Sequence, residues 1–192
     1  MSDDNSDQEW ARISRLRNKS IEENYSIHDI GTTLLNDRLH PLGYRLLEHG
    51  QNFGDHDDIY CGYGVDFEVR GQPFSHGERS DTNSRRLCGS EQTCGYVELK
   101  TKRSAEWMGR MNEKDWREYR GFAAYVDQPT VVAFALVDED ENTVAEWGFH
   151  RVDPWGNTVE TLPFESKGHA LVEIDDDDLE TFPYLTANLL PP

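Results

Sequence analysis

Apolar and polar positions repeat with two different periods along this chain, and the changes of period mark its elements. From Ser26, apolar residues at Ile30, Leu34, Leu35 and Leu39 recur at helical steps and form one stripe. Asp29, three residues after Ser26, makes a variant capping box, and Pro41 stops the helix. Upstream, Asp7 to Asn24 also reads as helix, with sparse apolar positions at Trp10, Ile13, Leu16 and Ile21. Tyr44 to Glu48 reads as a first strand, Gly50 to Asp58 as a loop, and Ile59 to Val69 as a second strand. In the strand around Tyr96 to Lys100, Glu98 and Lys100 share one face while Val97 and Leu99 point to the other. A helix over Asn112 to Val126 carries Trp116, Tyr119, Phe122, Ala123 and Val126 on one side. Thr130 to Val137 is a continuous apolar run, the pattern of a strand covered on both faces.

Between and after these elements the periodicity weakens. Arg70 to Gly95 is polar and rich in Gly, Ser, Pro and Asn, so it reads as loop with at most a short hairpin. Val144 to Val152, Thr158 to Leu162 and Ala170 to Ile174 read as strands of an antiparallel extension, with Asp153 to Asn157 as a turn. The aspartate run and the tail from Phe182 to Pro192 are expected at the surface or frayed. A strand covered on both sides implies an α/β layer architecture, with a mixed central sheet flanked by helices. Three units follow: an N-terminal basic helix or arm over 1–25, a core over 26–140 with an insertion at 70–95, and a β-rich extension with an acidic tail over 141–192.

The candidate chemistry lies on two of the strands. If the second strand lies beside the Glu98 strand, Asp66 approaches Glu98 on one face. Two facing carboxylates repel unless a positive group sits between them, and a divalent cation is the usual solution. A lysine beside such an ion, here Lys100, can orient or deprotonate a water or neutralise charge building on a phosphate. The same residues also suit a solvated strand face, where Glu98 and Lys100 would form a weak charge pair. Glu68, two positions past Asp66, is a second candidate ligand or a solvated acid.

The order helix, strand, strand with Asp66, strand carrying Glu98-Leu99-Lys100, helix, strand resembles the PD-(D/E)xK nuclease superfamily, which includes restriction endonucleases and archaeal Holliday-junction resolvases. The resemblance covers roughly Ser26 to Val137 and implies a restriction-endonuclease-like fold. It implies that Asp66 and Glu98 hold Mg²⁺ or Mn²⁺ with the Leu99 carbonyl, that Lys100 is the catalytic lysine, and that DNA is the substrate. The long Arg70 to Gly95 segment departs from the family's simple hairpin and implies an insertion or an added subdomain. An acid from the first core helix often joins such sites, and Glu22, Glu23 or Asp29 could supply it here. Nucleases that cut both strands commonly form homodimers. The resemblance also admits an inactive relative that serves as a nucleic-acid- or protein-binding module.

Candidate DNA contacts are Lys102, Arg103, Arg110, Arg117 and Arg120, with Trp107 among them as a stacking surface. Arg12, Arg15, Arg17 and Lys19 form the densest basic patch and would suit a phosphate-contacting arm or a surface helix.

Charge complicates that picture. The chain of 192 residues has 37 acidic and 19 basic side chains, for a formal charge of −18. Such a chain repels nucleic acid at ordinary salt unless its positive groups are concentrated. One reading is a protein from a salt-loaded cytoplasm, whose acidic, lysine-poor surface is screened by salt. The other is an acidic DNA mimic that blocks a partner's basic groove. The spread of acid over the whole length favours the salt-adapted reading.

No apolar run approaches the ~18 residues needed to span a bilayer, and Met1 to Asn5 lacks a basic-then-apolar leader, so no membrane partner and a cytoplasmic location are expected. Cys61, Cys88 and Cys94, an odd set, suit a reducing compartment, and with His76 they have the donor types of a zinc site but not a common spacing.

Overall fold

The computed structural model describes residues 25–49, 64–71, 92–126, 128–156, 159–166 and 169–186. The expected helix over Asp7 to Asn24, its basic residues, and Cys61, His76 and Cys88 lie outside that set, as does most of the 70–95 insertion.

Helix α1 (25–39) runs into a short 3₁₀ turn, His40–Leu42, before strand β1, Tyr44–Glu48. Strands β2 (Phe67–Gly71) and β3 (Gln92–Lys102) follow, then the short β4 (Arg110–Asn112) and helix α2 (Glu113–Tyr125). The chain continues through β5 (Thr130–Asp138), β6 (Thr143–Arg151), β7 (Glu160–Ser166) and β8 (His169–Glu173), and ends its described part at the helical turn α3, Phe182–Tyr184. The architecture is α/β. A mixed five-stranded sheet has the order β1-β2-β3-β5-β6, with only the β3–β5 pair parallel. The parallel pair needs a crossover, and α2 lies in that connection.

The alternation of β3 and β5 sorts the core into two layers. Val97, Leu99, Val131, Ala133 and Ala135 face α1, where they bury Ile27, Leu35 and Leu39. Val132 and Phe134 face α2 and meet Trp116, Tyr119 and Phe122. Residues Val131 to Ala135 are fully buried, as expected for a strand covered on both sides. Each large side chain in these layers contributes roughly 1.5–3 kcal/mol by burial. Helix α1 sits flush on β3 because Gly31 has no side chain: a Cβ there would lie 2.7 Å from Thr101 Cγ2. That close approach brings the start of α1 to the edge where β2 begins.

Two expectations need correction. The segment after residue 141 is not an extension outside the core: β6 completes the central sheet beside β5, while β8 pairs with both β7 and the distant β4 in a three-stranded antiparallel sheet. The tail is not merely attached at its described end. Leu185 is fully buried, and Phe182 packs edge-on against Phe149 with ring centroids 5.8 Å apart. The β4–β8 pairing and the packing of Phe182 on Phe149 join residues distant in sequence, which local periodicity cannot reveal, whereas β6 joins β5 through a local hairpin. No helix among the described residues is long and apolar enough to cross a membrane.

The junction of the two sheets depends on Gly109, which adopts φ +71° and whose carbonyl accepts a backbone hydrogen bond from the Ile174 N–H at 3.0 Å. A Cβ at Gly109 would collide with the Ile174 carbonyl oxygen. Left-handed backbone and a clash with main chain act together, so Gly109→Ala should destabilise the fold by about 2 kcal/mol or more in urea unfolding. An unchanged midpoint would show that this junction is not a stability determinant.

Candidate active site

The β2–β3 register pairs Phe67 with Val97, so the next step pairs Asp66 with Glu98. Asp66 is not itself in the strand, as the sequence pattern had suggested. It sits at a bend just before β2. The bend breaks alternation: Val65 joins the α2-side core, whereas Phe67 joins the α1-side core. As a result the Asp66 side chain lies alongside the sheet edge. Its Oδ2 accepts the Leu99 amide N–H at 2.8 Å, replacing the carbonyl that β2 would supply had it continued. In an extended strand a residue's N–H and C=O point to the same edge, so the Leu99 carbonyl faces the Asp66 side as well.

Glu98 is the electrostatic centre. It is 2 % exposed, on the α2 face of β3. Its Oε1 lies 2.8 Å from Lys100 Nζ and accepts the Tyr119 hydroxyl at 2.6 Å. Its Oε2 accepts the Asp66 backbone N–H at 3.2 Å. An unpartnered carboxylate buried to this degree would cost several kcal/mol, and these donors offset that cost. Burial still raises the Glu98 pKa, with the neighbouring Asp66 adding to it, against the opposing pull of Lys100. Burial and the Glu98 charge together push the Tyr119 phenol upward, so it remains a donor. Lys100 is pulled down by burial, but Glu98 and Asp115 outweigh that and hold the ammonium protonated. Asp115 Oδ2 lies 3.4 Å from Nζ, and the Tyr119 ring lies beneath it at 5.2 Å.

Asp66, Glu98 and Lys100 therefore come together, and four residues not singled out for the site join them. His28 Nε2 approaches Asp66 Oδ2 at 3.5 Å, and Thr32 Oγ1 lies 3.4 Å from His28 Nδ1. The Asp66 hydrogen bond raises the His28 pKa against the opposing effect of burial. Asp115 and Tyr119 reach the site from α2. The i,i+4 spacing of an acid and a tyrosine facing a lysine strand was the available signal. Glu68 does not join: Arg70 grips it at 3.0 and 3.2 Å, and this hydrogen bond lowers its pKa. Asp29 is exposed on α1.

Among the described residues no three His, Cys, Asp or Glu side chains converge closely enough to hold a metal by themselves. The oxygens that could share a hard cation are those of Asp66, whose hydrogen bonds fall on Oδ2, the Glu98 Oε2 and the Leu99 carbonyl. That donor chemistry fits Mg²⁺ or Mn²⁺, which keep several waters when carboxylates are few.

The candidate DNA contacts each have a partner within the chain. Arg103 pairs with Glu139 at 2.7 Å, Arg110 with Glu173 at 2.6 Å and Arg117 with Glu113 at 2.9 Å. Arg120 donates to the Pro154 carbonyl at 3.0 Å. Trp107 carries the Arg110 guanidinium 5.5 Å from its ring centroid. Lys102 donates to the Arg110 carbonyl and lies 5.8 Å from the Phe134 ring. Cys94 is a free, buried thiol.

Burial, helped by the Lys100 charge, lowers the Lys102 pKa to about 8. The folded chain then binds fewer protons at Lys102 than the unfolded chain, from that value up to the ordinary lysine range. Stability gained from this group must therefore rise with pH across the window from about 8 to about 10.5. Relative to Lys102→Met, the wild-type chain should gain unfolding free energy from pH 8 to 10. A constant difference would mean an ordinary amine.

Comparison with protein-family models, curated proteins and solved structures returns no match.

Proposed function

We propose that this chain is a divalent-metal-dependent nuclease of the PD-(D/E)xK type that hydrolyses DNA phosphodiester bonds. One observation carries the reading. Asp66 and Glu98 meet at the β2–β3 edge, and the Lys100 ammonium lies 2.8 Å from Glu98. The order helix, three central-sheet strands, the short β4 of the second sheet, helix, strand, with β3 parallel to β5, supports a restriction-endonuclease-like core.

Asp66, Glu98 and the Leu99 carbonyl would hold Mg²⁺ or Mn²⁺, which supplies an activated water and Lewis-acid stabilisation of charge on the phosphate. The other roles belong to the chain. The Leu99 amide and His28 hold the Asp66 carboxylate in place. Tyr119 fixes Glu98. Lys100, kept protonated between two carboxylates, donates to a phosphate oxygen rather than removing a proton from water. Arg103 and Arg117 are held by surface ion pairs of the kind worth about 0–1 kcal/mol, so a phosphate can displace their acids.

The internal pairing of the candidate basic residues favours a second reading, a non-catalytic module of the same fold. Incubation with plasmid and branched oligonucleotides in molar potassium chloride, with and without Mg²⁺, separates the two. Cleavage should require the ion. Glu98→Gln and Lys100→Met should each lower it by at least about 100-fold, with an unchanged circular-dichroism spectrum. Each variant removes one charge of the buried Glu98–Lys100 pair, which costs about 3–5 kcal/mol in stability, so cleavage is compared at equal folded fraction. Intact substrate in Mg²⁺ and in Mn²⁺ would leave the binding module standing.

A further inference from the structure

Lysine has three N–H donors on a tetrahedral nitrogen. At Lys100, Glu98 Oε1 lies at 2.8 Å and Asp115 Oδ2 at 3.4 Å, while the Tyr119 ring closes the underside. With two of its N–H groups directed at carboxylates, one N–H remains. The Lys100 and Asp115 side chains are 24 % and 30 % exposed, against 3 % for Glu98. Asp115 therefore stands at the mouth of the site and Glu98 at its floor.

The helix that carries Asp115 is anchored firmly. Trp116, Tyr119 and Phe122 are buried beneath it, and Tyr119, one turn after Asp115, is tied to Glu98 by its hydroxyl. The position of Asp115 relative to β3 is thus set by the core rather than by its own flexible contact. An acid in the first turn of a helix ordinarily serves the helix dipole, a contribution of about 0.3–1 kcal/mol to stability. That role needs no lysine from another element, whereas Asp115 points at one fifteen positions away.

We infer that Asp115 is a positioning residue: with Glu98 it clamps the Lys100 ammonium so that its remaining N–H faces a phosphate oxygen of the substrate entering from solvent. This rests on the nuclease reading above. Loss of the clamp leaves Lys100 paired to Glu98 alone and free to rotate, which misplaces a donor whose value depends on alignment. Substrate binding, which depends on contacts along the backbone of the nucleic acid, should change little.

The test compares the full-length chain with Asp115→Asn and Asp115→Glu in steady-state cleavage with Mg²⁺, together with the ¹H–¹⁵N signal of the Lys100 ammonium, assigned by its loss in Lys100→Arg. Asp115→Asn should lower kcat about 10- to 100-fold with KM within twofold of wild type. It should also weaken or abolish the protected Lys100 signal, and Asp115→Glu should restore both in part. A purely structural role would instead lower the melting temperature and leave kcat of the folded fraction intact, which overturns the inference. So would an active wild-type chain whose kcat Asp115→Asn matches. A wild-type chain that cleaves nothing sinks the nuclease reading itself, and the positioning role with it.

Discussion

A carboxylate on the inner face of a sheet has to be compensated by the chain around it, and Glu98 imposes that demand here. The response comes from three directions: a lysine two residues along the same strand, a tyrosine hydroxyl from the covering helix, and the backbone amide of Asp66 at the bend before the neighbouring strand. Each requires a different part of the fold to be in register. The β2–β3 ladder must place Asp66 opposite Glu98, and the β3–β5 crossover must lay α2 over the β3 face. The bond network is therefore a consequence of topology as much as of residue type.

The same network sets the chemistry open to the site. Tyr119 stays protonated and donates, Lys100 stays charged, and Glu98 is anionic only at the expense of its burial. A lysine between two carboxylates is a fixed positive charge and a hydrogen-bond donor. The acidic surface outside the site, at a formal charge of −18, opposes an approaching polyanion, and salt shortens the range of that repulsion. In the proposed nuclease, arginines held by surface ion pairs would exchange their own acids for phosphates.

Much of the core was legible in the sequence because it follows one-dimensional periods. The stripe of Leu35 and Leu39 gave α1, that of Trp116, Tyr119 and Phe122 gave α2, and the Val131 to Ala135 run gave a strand buried on both faces. The pairing of Asp66 with Glu98 was also accessible, since it needs only two adjacent strands. What could not be read was anything set by a crossing or a long closure. Tyr119 looks like a core residue, and is one, but only its polar tip reveals that it also serves Glu98. His28 reaches Asp66 only because Gly31 lets α1 approach β3 closely. The β4–β8 pairing joins residues some sixty positions apart, such as Met111 and Val172, and carries no local signature.

The proposed nuclease chemistry requires that Asp66, Glu98 and the Leu99 carbonyl share a hard divalent cation. Calorimetric titration with Mn²⁺ in molar potassium chloride, which screens weak attraction to the acidic surface, addresses it most directly. A saturable binding event in the wild-type chain, weakened at least tenfold in Glu98→Gln and in Asp66→Asn, is the expected result. Titrations of the wild-type and both variants that superimpose, or a wild-type chain that gives no binding heat, would contradict it.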